Sequence, residues 1–204
     1  MEDKELRTYT VDELRVAEPE EEGGKPMIRG HAAVFDQLSE DLGGFVEKIR
    51  PGAFKKTAGE ADIRALWNHD PNYPLGRTKS GTLRVWEDEI GLAIELDPPE
   101  TSYAKDLQES IRRGDVDQMS FGFRTIRDEW DTDGETPVRT LVEVQLYDVS
   151  PVTFPAYPQT SVAVRALEEM KRTAAPILED HPADSDQAAG RLDIMRRKLI
   201  LADK

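Results

Sequence analysis

The sequence predicts a mostly β fold with helices (α+β), built as a largely antiparallel barrel with helices packed outside it. Three observations carry that expectation. Short runs of apolar or alternating residues recur along the chain, bounded by Gly, Pro, Asp and Asn. Before the C-terminal part, 102–113 is the clearest stretch with a helical period. Strands and helices do not alternate in the regular way that a doubly wound parallel sheet requires.

Taken in order, Arg7 to Val16 has loose strand character, and Glu18 to Lys25 is an acidic loop. Met27 to Phe35 reads as a strand, with Gly30 leaving room for a bend. A turn-rich segment leads to a short strand, Phe45 to Ile49, and then to a helical turn over Pro51 to Lys56. Ile63 to Trp67 reads as a strand, followed by a Pro-rich loop, Asp70 to Pro74. Leu83 to Trp86 and Leu92 to Leu96 make a hairpin around Asp88. Ser102 to Arg113 is a helix, capped by Thr101 or Ser102, with Leu107 and Ile111 inward and Gly114 as its stop. Met119 to Ile126 is a strand, 131–137 a turn, and Val138 to Val149 the longest strand pattern. Ala163 to Arg172 is helical in character. A polar linker follows over 175–188, and then a basic amphipathic helix over 191–201. The folded domain is placed at 1–165, with 166–204 as linker and helical tail.

Composition narrows the function. With 204 residues the chain has room for one ordinary domain and an appendage. A net charge of -14 argues against gripping a phosphate backbone, because that binding rests on Lys and Arg. The absence of cysteine excludes thiol catalysis, thiolate metal sites and disulfides. No secretory leader is visible behind Met1, and no apolar run nears the roughly 20 residues that span a bilayer.

Two residues stand out: His69, after Leu66-Trp67-Asn68, and Ser120, before Phe121-Gly122-Phe123. Each borders a predicted strand. A histidine can take a serine proton and return it to a leaving amine, which is the chemistry of a serine hydrolase. Of the other histidines, His31 sits mid-strand and His181 in the polar linker. Ser150 rivals Ser120, although it precedes a proline at a strand end, where turn chemistry explains it. For the acid, alternation along 142–148 puts Asp148 on the apolar face with Val142, Val144 and Leu146. Glu143, on the opposite face, is the alternative. Asp70, Asp97 and Asp115 match no metal-ligand spacing with His69, so neither metal nor cofactor is expected.

Five motifs in order resemble the HK97-type prohead protease family of tailed bacteriophages. They are Gly30 to Phe35, Ile49 to Phe54, Leu66 to Asp70 with Leu75-Gly76-Arg77, Met119 to Phe123, and Asp148 to Pro158. The resemblance covers roughly residues 28–160. It implies a serine endopeptidase acting inside the immature capsid, in the host cytoplasm. Such an enzyme processes the scaffold, or the scaffolding segment of the major capsid protein, and often itself. The fold implied is similar to herpesvirus assembly proteases, a β-barrel surrounded by helices. His69 and Ser120 then stand at the family's catalytic positions, with Asp148 where the family commonly has Glu. At position 31 family members often carry an aromatic. The implied partners are the major capsid protein or scaffold as substrate, and further copies of the chain. Neither nucleic acid nor membrane is expected. The oxyanion donors are sought near Gly76-Arg77 and along 153–157. Two rival readings are a non-catalytic assembly factor on the same fold, which loss of His69 or Ser120 would mark, and an unrelated hydrolase with a closed pocket for a small substrate.

Overall fold

A computed structural model describes residues 4–10, 14–19, 23–155 and 161–174. The chain divides into two units, 1–170 and 171–204; the first holds the fold that follows. It is mostly strand with few helices, as the apolar runs predict.

Among the described residues, ten strands pair into two sheets, with the order β1-β9-β10-β5-β6, β4 also on β10, in one and β2-β3-β8-β7 in the other. The first sheet comprises β1 (Glu5–Thr10), β4 (Val46–Ile49), β5 (Arg64–Trp67), β6 (Asp70–Arg77), β9 (Gln118–Asp131) and β10 (Val138–Val152). The second comprises β2 (Arg15–Ala17), β3 (Met27–Val34), β7 (Leu83–Glu87) and β8 (Gly91–Leu96). Both contribute to one core. Ile28, Ala32, Leu83, Ile94 and Leu96 from the second sheet join Met119, Phe121, Phe123, Val144 and Leu146 from the first. Phe54, fully buried in this core, stands edge-on to Phe121 with centroids 5.4 Å apart. Pairing is mostly antiparallel, but β10 runs parallel to β4 and β5.

β10 organises the site. One edge is covered throughout by β9. The other is covered in three steps. β4 takes 138–141, the segment around α1 (Lys55–Glu60) takes the middle, and β5 pairs at 148–149. In the middle step Val144 N–H donates to Ala53 O at 3.1 Å, and Leu146 N–H donates to the buried Thr57 hydroxyl at 2.9 Å. A long strand thus keeps its donors satisfied although its neighbour changes twice.

Several expectations change in detail. The stretch 7–16 is two strands in different sheets, β1 and β2, and not one. The loop expected at 70–74 is the start of β6. Pro71 and Pro74 are tolerated because β6 ends the sheet order, where a missing N–H breaks no second ladder. β9 and β10 run past residues 126 and 149, since each supplies the other's hydrogen bonds. The short helix follows Pro51-Gly52 and does not include them, and Gly52 has φ 97°. α2 (Ser102–Arg113) matches its expected range. Thr101 is its N-cap residue without a side-chain cap bond, and Gly114 closes it in the left-handed region at φ 77°. α3 (Ser161–Ala174) continues through residue 165, and Leu167 packs on Leu42 and Phe45. The helix expected over 191–201 lies outside the described residues.

Candidate active site

The β5–β6 connection is a two-residue turn, Asn68-His69, closed by the Trp67–Asp70 pair. Both central residues have positive φ, 54° and 58°. That is the signature of a type I′ hairpin turn, where Asn followed by Gly is the favoured pair. Histidine in the second position costs roughly 1 kcal/mol, as backbone strain at a functional position commonly does. The turn is fastened to the end of β10. Asn68 N–H donates to Pro151 O at 3.0 Å, and Thr153 N–H donates to Asn68 Oδ1 at 2.9 Å. Asn68 Nδ2 reaches Thr153 Oγ1 at 3.3 Å. Sequence reading missed this role of Asn68. An Asn between two strand-like runs is the signal that could have revealed it.

His69 is therefore aimed at β9 and β10. Its Nε2 lies 2.7 Å from Ser120 Oγ, and its Nδ1 hydrogen-bonds Asp148 Oδ2. Ser120 is fully buried on β9, opposite Ser150 of β10 on one side and Thr8 of β1 on the other. Asp148, 2% exposed, lies beside a register shift between Leu146 and Asp148, opposite Gly122. A Cβ at Gly122 would collide with Asp148 Oδ1 and Lys4 Cε, so only glycine leaves the carboxylate its place.

Two further groups hold Asp148. Ser150 Oγ donates to Oδ2 at 3.0 Å, and Lys4 Nζ lies 2.5 Å from Oδ1. Burial alone would raise the Asp148 carboxyl. The hydrogen bonds and charges of His69 and Lys4 outweigh burial and hold it below its ordinary value. It is thus a carboxylate, able to fix the imidazole with its proton on Nδ1 and its lone pair on Nε2 facing Ser120.

The other candidates fall elsewhere. Glu143 faces away from Asp148, is one-third exposed and pairs with Lys56 at 3.6 Å. Ser150 supports the carboxylate and does not face Nε2. His31 Nε2 bonds Asp88 at 2.8 Å in the second sheet. His181 lies outside the described residues. Near the suggested oxyanion donors, Arg77 N–H is engaged by Thr82 Oγ1 at 3.0 Å and Thr153 N–H by Asn68. Residues 156 and 157 lie outside the described residues. A cavity of about 560 Å³ is lined by Leu66, Pro74, Arg77, Thr82 and Asp97, among others, and by none of the three site residues. A carboxylate, an imidazole and a hydroxyl in a hydrogen-bonded row can perform acyl transfer by a serine nucleophile.

Between residues 12 and 174 the sequence matches the family described as caudovirus prohead serine protease. The chain belongs to that family. The prohead protease of Enterobacteria phage HK97 is 28% identical over 162 residues, which cover 78% of this chain and 68% of that protein. The solved structure of the bacteriophage T4 capsid assembly protease is similar with a TM-score of 0.48 and 14% identity. That similarity covers 74% of this chain and 96% of that one. Within the prohead serine protease match lie His69, Ser120 and Asp148 together with Asn68, Gly122 and Ser150.

Replacement of Asn68 separates the turn from its fastening. Asn68→Gly keeps a residue suited to positive φ but removes the side-chain clamp, and is expected to cost about 1 kcal/mol. Asn68→Ala loses both and is expected to cost about 2 kcal/mol, given the strain of a Cβ at this φ. Urea unfolding of the two variants beside the parent measures the difference.

Proposed function

We propose that the chain is a serine endopeptidase of phage procapsid maturation in which Ser120 is the nucleophile, His69 the general base and Asp148 the orienting acid. The observation that carries this reading is the hydrogen-bonded row Asp148–His69–Ser120 within a chain of the prohead protease family. Ser120 Oγ attacks the scissile carbonyl as His69 Nε2 takes its proton. The imidazolium, stabilised by Asp148, returns that proton to the leaving amine, and water then releases the acyl group by the same route.

The proposed substrates are the scaffold, or the scaffolding segment of the major capsid protein, and the chain itself. The proposed setting is the immature procapsid in the host cytoplasm, where copies of the chain self-associate. Residues 1–165 are assigned to the protease domain, and 166–204 to a tail that tethers it to scaffold or is removed by self-cleavage. Loss of His69 or Ser120 would mark a non-catalytic assembly role, and the sequence carries both residues.

Intact masses of the chain and its neighbouring capsid protein after co-expression test the reading, beside a Ser120→Ala version. Discrete truncations that vanish in the variant are expected. Identical masses in both samples, with shells assembled, would refute it.

A further inference from the structure

Ser120 is fully buried, and what covers it is the chain's own N-terminal strand. β9 has two edges at this point. β10 occupies one, and β1 occupies the other from Glu5 opposite Phe123 to Thr10 opposite Gln118. A peptide substrate must lie extended beside the nucleophile, and main-chain pairing to a strand edge is the common way to hold one. The only edge of β9 that a peptide could gain here is the one β1 fills.

The contacts β1 makes there are those of an occupant. Arg7 carbonyl oxygen accepts from Ser120 Oγ at 2.9 Å. A carbonyl can only accept, and the hydroxyl has one proton. While that proton serves Arg7, His69 Nε2 can bond Oγ only by donating, so it cannot act as base. Just before β1, Lys4 adds its ammonium to the acid, 2.5 Å from Asp148 Oδ1. The N-terminal segment thus touches nucleophile and acid together.

The strand is also built to leave. Glu5 and Arg7 insert into a buried cluster with Glu47 and Arg139. One carboxylate and one guanidinium enter together. When β1 withdraws it removes a neutral pair, and Glu47 and Arg139 remain joined directly at 3.0 Å. No uncompensated charge is left behind, which is the condition that makes breaking a buried cluster costly.

We infer that β1 is a resident occupant of the extended-peptide channel at Ser120, holding the chain inactive until a substrate segment displaces it. The inference rests on Ser120 being the nucleophile. Its consequence is that reactivity scales with the fraction of chains in which β1 is open.

The test is the rate at which a fluorophosphonate modifies Ser120 in the full chain. Because the chain has no cysteine, Thr10→Cys with Gln118→Cys gives a single possible disulfide between directly opposed positions, which lie within disulfide range in an antiparallel pair. The oxidised form is expected to react at least about tenfold more slowly than the reduced form, reversibly. A chain beginning at residue 12 is expected to react faster than the parent and to be slowed by added peptide 1–10. Equal rates at Ser120 in oxidised and reduced forms would overturn the inference and leave the nucleophile assignment standing. Absence of Ser120 labelling in every form, with the reduced full chain folded, would remove the nucleophile assignment and this inference with it.

Discussion

Asp148→Asn is expected to lower kcat by about 10⁴-fold with little change in KM, because an amide cannot hold the imidazole in the tautomer that accepts the serine proton. The substitution is nearly isosteric, so the hydrogen-bonding frame survives while its charge is lost. Steady-state rates on a peptide spanning a mapped cleavage site measure the effect, with circular dichroism confirming the fold. Two comparisons make the result specific. Ser150→Ala removes one donor to the same carboxylate and should cost about tenfold or less. Glu143→Gln alters an exposed ion pair on the other face and should leave kcat unchanged. Equal losses in Asp148→Asn and Glu143→Gln would contradict the assignment of the acid.

The largest expected effect on stability lies in the buried ionic cluster. Arg139 bonds Glu5 at 2.9 Å, Glu47 at 3.0 Å, Asp128 at 2.7 Å and Thr125 at 2.8 Å. Arg139→Met leaves Glu5 and Glu47 sharing the single charge of Arg7 in the interior, and should cost about 3–5 kcal/mol, a large part of a domain's stability. Replacing Glu47 together with Arg139 by apolar residues of similar size should cost less than the single change. Urea titrations of the three proteins measure this, and additive losses would contradict it.

The same cluster gives stability a pH dependence of defined sign. Burial would raise Glu5, but Arg139 and Arg7 outweigh it and hold its carboxyl below the ordinary 4.5. Asp148 is likewise held below 3.8. Groups depressed in the folded state contribute fully above their unfolded values and lose that contribution as pH falls through the folded ones. Stability should be level above about pH 5 and fall steadily below about 4.5. In the Arg139→Met variant that acid dependence should be smaller, because Glu5 loses the guanidinium that depresses it most.

Much of the candidate site was legible in residue types and spacing. His69, Ser120 and Asp148 each sit beside an apolar run, and alternation along 142–148 correctly separates the buried Asp148 from the partly exposed Glu143. α2 was legible because its period, its Gly114 stop and its length agree. What sequence could not show depends on pairing across long separations. Lys4 meets Asp148, and Arg7 meets both Ser120 and Glu47, only because β1 adds to β9. β6 looked like a loop because prolines are read as breakers, whereas an edge strand tolerates them. The split of 7–16 into two sheets left no mark in the local pattern.

The most direct measurement is peptide mapping of the residue that a fluorophosphonate modifies in preparations that cleave the capsid protein. A single adduct on Ser120, lost together with cleavage in His69→Ala, is expected. An adduct on Ser150, or cleavage that persists in Ser120→Ala, would contradict it.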